Sequence, residues 1–294
     1  MTRIRQWLVW MLQGIGIGIA NVIPGVSGGT MALVFGIYER LLGLIGELVK
    51  AGLLLIRFDV RGFVAALRQA DLLFLGWLAA GVVMAPLLGA KIIPHLLEVY
   101  PEESRSLFFG LILGTLPVPW LRIRKHTWGT ILSLVLATAV SFTLVGIPPL
   151  DPGEPGLLAI FFSAALAICA MILPGVSGAF VLLVLGMYAP IFEAIDARDP
   201  AVIGTFMLGA GVGLGSFAIV LKWLLDRAHD LTMAALVGLM AGSLRSLWPW
   251  LAEDRALLAP DYGEGFATIL LLGLLGLLIS GGMTWWEVRR SRSA

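Results

Sequence analysis

Cysteine is almost missing from this 294-residue chain, where Cys169 stands alone. A lone thiol excludes an intramolecular disulfide and a cysteine-built metal site, and its place in an apolar run suits a small buried hydrophobe. Histidine is nearly as scarce: His95, His126 and His229 fall in or beside loops. No cofactor or metal is expected from such a set. Charge is the third shortage, with 13% of residues charged against about 25% in soluble domains. The net charge of +1 offers no basic surface for nucleic acid. What fills the chain is 59% hydrophobic sequence with a mean hydropathy of +0.95, the composition of an all-α polytopic membrane protein.

Within that background one phrase occurs twice. Ile23-Pro24-Gly25-Val26-Ser27-Gly28 returns as Leu173-Pro174-Gly175-Val176-Ser177-Gly178, and beyond it Gly36 answers Gly186, Tyr38 answers Tyr188 and Ile45 answers Ile195. The N-terminal stretch from Arg3 and Arg5 through Ala20 has the look of a signal peptide. Its counterpart recurs at 156–173, where no signal peptide stands, so the stretch is expected to stay in the mature fold.

The duplication divides the chain into residues 1–150 and 151–294. Each half is expected to hold a broken or re-entrant hairpin (7–49 and 156–195) and three spanning helices, near 72–94, 107–119 and 128–147, then near 201–225, 231–248 and 266–286. The segments around each motif are short for a span of about 20 residues. They form either tight transmembrane hairpins or re-entrant ones, and irregular backbone at membrane depth favours the second when it is buried in protein or lines a cavity.

Positive charge sets the orientation. Arg3, Arg5, Arg57, Arg61, Arg68, Arg122, Arg124, Lys125, Lys222, Arg227, Arg289, Arg290 and Arg292 mark cytoplasmic segments, while Glu98, Glu102, Glu103, Asp151, Glu154, Glu193, Asp196, Asp199, Glu253, Asp254 and Asp261 fall between them. Both termini are then cytoplasmic. Each half crosses an odd number of times, which inverts one against the other. Gly110-Leu111-x-x-Gly114-Thr115-Leu116 and Gly238-Leu239-x-x-Gly242-Ser243-Leu244 echo each other at matching places. Their small-residue spacing predicts close helix packing, as do the runs Gly14, Gly16, Gly18 and Gly209, Gly211, Gly213, Gly215.

The repeated motif carries the chemistry. Proline ends one helix, glycine permits the break, and Ser27 or Thr30, with Ser177 in the second copy, can cap the next helix. Main-chain N–H groups at a helix start form an anion site without a charged side chain, and inverted halves bring two such starts together. Candidate anion contacts are therefore Gly25, Ser27, Gly28, Gly29 and Thr30 with Gly175, Ser177 and Gly178; Asn21 is a further ligand donor or a lock on the break. Glu39 is a candidate for proton coupling or an interfacial carboxylate paired with Arg40. Lys91, Lys222 and Arg245 either serve the anion's route or extend to the headgroups.

The first motif also satisfies the G-x-S-x-G pattern of serine hydrolases. A nucleophilic Ser27 needs a base in hydrogen-bond reach, and the histidines stand outside the spans. The second copy breaks the pattern at Ala179. A small-anion transporter or channel built on the same helix starts is the nearer alternative.

The run Ala20-Asn21-Val22-Ile23-Pro24-Gly25-Val26-Ser27-Gly28-Gly29-Thr30, with Gly36-x-Tyr38-Glu39 after it, resembles the bacterial polyprenyl-phosphate transporters, once a membrane family of unknown function. The resemblance covers nearly the whole chain, and the second copy departs from the first at Ala179 and Phe180. It implies a flippase in the bacterial cytoplasmic membrane that returns undecaprenyl phosphate, the lipid carrier of cell-wall assembly, from the outer to the inner leaflet. Its partners would be that lipid and the surrounding membrane; the oligomeric state is left open.

The charge pattern makes a direct prediction. In a Cys169→Ala background, Arg124→Cys and Arg289→Cys should react with an impermeant maleimide only from the cytoplasmic side, and Glu102→Cys and Asp261→Cys only from outside. Arg124→Cys and Asp261→Cys labelling from one side would remove the inverted arrangement.

Overall fold

Apolar segments can satisfy their main-chain polar groups inside a bilayer only by closing them into helices or barrels, and this chain forms helices. The structure is a computed structural model and describes residues 3–22, 27–89, 92–148, 155–252, 254–263 and 265–292. The first half runs α1 (Arg3–Val22), α2 (Gly28–Val34), α3 (Tyr38–Ile56), α4 (Val60–Gln69), α5 (Leu72–Gly89), α6 (Ile92–Val99), α7 (Pro101–Thr115), α8 (Pro117–Trp120) and α9 (Trp128–Val145). The second runs α10 (Leu157–Ile172), α11 (Gly178–Val184), α12 (Tyr188–Asp196), α13 (Pro200–Arg227), α14 (His229–Ser243), a 3-10 turn (Leu244–Leu247) and α15 (Phe266–Arg292). Among the described residues the only β feature is an isolated bridge between Leu251 and Leu257.

The sequence repeat is a structural repeat at its punctuation. After each motif comes a helix of 7 residues, α2 or α11, so each hairpin has a short middle piece. Both pieces end on a glycine in the left-handed region, Gly36 at φ 72° and Gly186 at φ 69°. There the chain closes the same way twice: Gly36 N–H donates to Leu33 O and Ile37 N–H to Ala32 O, as Gly186 N–H does to Leu183 O and Met187 N–H to Leu182 O. This is the Schellman closure that glycine makes inexpensive. The echo continues where α3 and α12 stop. Phe58 and Arg198 adopt positive φ, and the following aspartates cap the next helix, Asp59 accepting from Gly62 N–H and Asp199 from Ala201 N–H, each at 2.8 Å.

Packing follows the same plan. In each half the helix before the motif lies on a later apolar helix, α1 on α5 and α10 on α13. Between halves partners are exchanged, α7 lying on α15 and α14 on α9. The glycine seams expected from sequence make these approaches. A Cβ at Gly110 would strike the α15 backbone at Gly273, and one at Gly242 would meet Thr138 O of α9 at 2.5 Å. The largest buried cluster joins Ile17, Leu33, Tyr38 and Phe74 of the first half to Leu221 and Met240 of the second, so one core spans the duplication.

Outward faces are apolar. Leu132, Leu136 and Val140 on α9, Met207, Leu208 and Val212 on α13, and Leu271 and Leu278 on α15 are exposed, a surface stable only against hydrocarbon. Among the described residues α9 and α13 are each long and apolar enough to span a bilayer, and two bent pairs qualify jointly: α4 with α5, bent by 72°, and α11 with α12, bent by 104°. The segments expected near 107–119 and 231–248 fall on α7 with α8 and on α14 with its 3-10 turn. Helix α7 begins at Pro101 with Glu102 and Glu103 in its first turn, residues suited to a helix start. Helices α7 and α14 are each 15 residues long, about 22 Å at 1.5 Å per residue, and each is followed by a single further turn rather than a continuous span.

Two glycines on one helix test this packing. Gly213 faces α10, where a Cβ would lie 2.6 Å from Ala165 O, whereas nothing stands within 4 Å of one at Gly211. Gly213→Leu should therefore cost about 3 kcal/mol or more through backbone collision, read as a lowered melting temperature in detergent. Gly211→Leu should melt with wild type; equal melting of the two variants would contradict the α10–α13 approach.

Candidate functional site

The two motifs meet. Ser27 is the N-cap of α2, its oxygen accepting from Gly29 N–H at 3.1 Å. The same hydroxyl donates into the second motif, to Leu173 O at 2.9 Å or Met171 O at 3.1 Å. Thr30 Oγ1 accepts from Gly175 N–H at 2.8 Å, and Tyr38 donates its hydroxyl to Ile172 O at 3.1 Å. Ser27, Thr30 and Tyr38 are all buried. The carbonyls left without a helical partner where α10 stops are thus taken up by hydroxyls of the first half.

Gly28 and Gly29 are fixed by the same geometry. Gly28 N–H donates to Asn21 Oδ1 at 2.8 Å, so Asn21 on α1 locks the helix that follows the break. A Cβ at Gly29 would run into Ile172 O, and one at Gly28 would come 2.8 Å from Asn21 Oδ1. Gly175 has φ 81°, and a Cβ there would meet Met240 Cα of α14 at 2.6 Å. The second break is therefore pinned between α2 and α14, and glycine is the residue that fits.

Among the described residues the second motif's side chains bond within their own half. Ser177 caps α11, accepting from Phe180 N–H at 3.4 Å, and Gly178 packs on Ala167 O of its own half. Where the first copy has Thr30 reaching across, the second has Phe180, whose ring lies beneath the Arg255 guanidinium, 4.4 Å from Cζ to the ring centre. Both serines cap as the motif predicts, while Thr30 bonds between halves instead. Gly25 and Lys91 lie outside the described residues.

The remaining candidates lie in different settings. Lys222 pairs with Asp226 one turn on, at 3.2 Å. Glu39 does not pair with Arg40, which binds Asp71 and covers the Phe74 ring at 4.0 Å. Glu39 instead stands 3.7 Å from His229 Nε2, and His229 Nδ1 lies 3.3 Å from Asp230. The Arg124 N–H chiefly, then His229 and the Lys125 N–H, hold the Asp230 carboxyl below the usual carboxylate range. This cluster ties the start of α3 and the loop before α9 to the start of α14. Arg245 spans the end of α9, donating from Nη1 to Phe142 O at 3.1 Å.

Beside the first break lies a cavity of about 170 Å³, walled by Ile17, Ala32, Leu42, Ile45 and Ile168 with Asn21 and Gly28 at its polar edge. Such a lining receives hydrocarbon next to a polar group. Ser27 meets no base there: its hydroxyl is engaged by main-chain groups, and His229 is engaged by Glu39 and Asp230. Tyr38 is the contributor that sequence reasoning passed over. It was visible as the partner of Tyr188 and in the Gly36-x-Tyr38-Glu39 run, with no role attached, and Tyr188 instead lies tilted against Phe192, ring centres 4.6 Å apart.

Comparison with known proteins gives the family. A family model described as VCA0040-like, undecaprenyl phosphate translocase-like, matches residues 17–261, a stretch holding both motifs. A Vibrio cholerae serotype O1 protein named polyprenyl-phosphate transporter is 38% identical over 245 residues, 83% of this chain and 79% of its own length. A Staphylococcus aureus protein of the same name is 27% identical over 269 residues, covering 85% of this chain and 89% of that one. No solved structure gives a significant match.

The Thr30–Gly175 bond is the contact to test. Thr30→Val keeps the shape but leaves the Gly175 N–H buried without an acceptor, a loss of about 1–3 kcal/mol. Thr30→Ser should restore most of it. Thermal unfolding in detergent of the three proteins decides the matter, and a Thr30→Val protein as stable as wild type would dissolve the bond's role.

Proposed function

Because the chain belongs to the undecaprenyl phosphate translocase-like family, we propose that it is a flippase that returns undecaprenyl phosphate from the outer to the inner leaflet of the cytoplasmic membrane, holding the phosphate at the two helix breaks. The observation that carries this reading is the junction of the breaks: three hydroxyls of the first half bond to the backbone of the second. A site shared by two halves in inverted orientation can open to one leaflet and then the other without being rebuilt. The cavity beside Asn21 and Gly28 is walled by aliphatic side chains. That favours an anion on a hydrocarbon tail over a small free anion, which needs no such wall.

In this scheme Asn21 Oδ1 and Ser27 Oγ stand at the places of phosphate oxygens on the Gly28 and Gly29 N–H groups. Phosphate binding displaces them. Main-chain donors at a helix start suit a phosphate, and stand-in oxygens keep those donors satisfied inside the membrane when no lipid is bound. The inversion of the halves, the direction of transport and the roles of Gly175, Ser177 and Gly178 belong to the same proposal.

Asn21→Asp separates a lock from a placeholder. A carboxylate caps a helix start at least as well as an amide, so a purely structural Asn21 predicts full function. Displacement by phosphate predicts the reverse: Asn21→Asp should lose transport more completely than Asn21→Ala, because a fixed negative charge competes for the same donors. The measurement is surface accumulation of undecaprenyl phosphate in cells lacking their other transporters of this lipid, with expression matched. Wild-type recycling by Asn21→Asp would remove the phosphate from the first break, and a wild-type chain that leaves surface accumulation unchanged would remove the function itself. In the same assay Ser27→Ala should slow recycling only partly, since the main-chain donors remain.

A further inference from the structure

The loop between α14 and α15 carries two arginines, Arg245 and Arg255, that no carboxylate answers among the described residues. Arg245 donates from Nη1 to Phe142 O at 3.1 Å and from Nη2 to Arg255 O at 3.2 Å. Arg255 donates from Nη1 to Val145 O at 3.1 Å. Among the described residues neither takes part in an ion pair. Burial first, and the positive charge of Arg245 second, pull the Arg255 pKa below its ordinary value.

The last turn of α9 accounts for part of this. Its free carbonyls carry about half a negative charge, and a cation there is favourable. One guanidinium suffices for that, and two leave positive charge in surplus. Each guanidinium has five N–H donors, and Arg245 Nε is buried without an acceptor.

Beside Arg245, the charged member of its wall, is a cavity of about 260 Å³ lined also by Phe109, Phe142, Trp248, Leu257 and Leu258; Arg255 reaches Arg245 through its own carbonyl, 3.2 Å from Arg245 Nη2. A guanidinium fork binds phosphate oxygens with two parallel hydrogen bonds. An aromatic and aliphatic trough beside it takes the first carbons of a chain. Arg255 also lies over Phe180, three residues past the Ser177 cap, so the pair borders the helix that leaves the second break. At the place of Arg245 the first half has Pro117, in the stretch that matches 238–244. The feature is one-sided.

We propose that Arg245 and Arg255, with the trough walled by Phe109, Phe142 and Trp248, form a capture site for the monophosphate head of a prenyl lipid, separate from the two breaks and loading the second of them. The identity of the lipid rests on the transport reading above; the site itself does not. The loop lies on the face that the charge pattern turns outside, where the lipid would be collected.

The test uses the full-length chain in nanodiscs, with binding of farnesyl phosphate, farnesol and inorganic phosphate measured in the wild-type and Asn21→Asp backgrounds. Arg245→Gln and Arg255→Gln should each weaken farnesyl phosphate about tenfold, as befits a charge-assisted bond, and leave farnesol unchanged. Arg245→Lys should recover part of the loss. Inorganic phosphate should compete only at far higher concentration than farnesyl phosphate. A merely structural role for the arginines predicts equal loss of both prenyl ligands with a lowered melting temperature, and that result would overturn the site. So would unchanged preference for farnesyl phosphate over farnesol in both glutamine variants, or competition by inorganic phosphate as strong as by the lipid. If instead wild type moves no prenyl phosphate yet its preference for the phosphorylated ligand still collapses in Arg255→Gln, the capture site stands and the transport reading fails.

Discussion

A helix that stops inside hydrocarbon leaves carbonyls and N–H groups that water cannot reach, and the whole arrangement depends on how those groups are satisfied. Each costs several kcal/mol if left alone in lipid. At the second motif the chain meets the cost with side chains carried on the other half: Ser27 and Tyr38 supply donors to the carbonyls at 171–173, and Thr30 supplies an acceptor to Gly175 N–H. The second break is therefore stable only when the first is docked on it. That makes the junction of the halves a condition of folding as well as the place where an anion would be held.

Glycine sets how close this docking comes. Gly29 lies against the Ile172 carbonyl and Gly175 against the Met240 backbone, so the hydroxyls reach main chain instead of side chain. The same residue makes the outer scaffold rigid, where Gly110 and Gly238 bring α7 onto α15 and α14 onto α9. Exchanged partners tie each half's later helices to the other's, and a shift at the central junction must be shared by both. The small-residue seams thus act at two levels, positioning the breaks and coupling them.

Much of this was legible in the chain itself. The duplicated Pro-Gly-Val-Ser-Gly, the serine caps and the glycine seams all follow from residue types whose conformational needs are local. What stayed hidden depends on which half faces which. The motif offered Ser27 and Thr30 as interchangeable caps, and only the fold turns Thr30 toward Gly175. Tyr38 and Tyr188 match in sequence yet one is buried against Ile172 O and the other lies tilted against Phe192. Helices α7 and α14 were placed by hydrophobicity alone, which missed the polar first turn of α7 and the stop before Pro117. Arg255 carried no signal in sequence, since its setting comes from the loop's return onto α9 and Phe180.

The two copies of the motif are alike enough to break the chain in the same way and different enough to act unequally. Thr30 and Gly29 in the first copy stand where the second has Phe180 and Ala179, so the Thr30 bond onto Gly175 has no side-chain counterpart at Phe180. A transporter with identical halves would hold its inward and outward states at equal free energy. Unequal copies remove that degeneracy, because the cross-half bonds are made in one arrangement and need not be matched in the other. A difference of about 1.4 kcal/mol, on the order of one net hydrogen bond, shifts such an equilibrium tenfold. The departures at Ala179 and Phe180 therefore need no reading as decay of a duplicated motif: in the proposed flippase they give the protein a preferred state, and the arginines near the second break give the lipid a preferred side from which to approach.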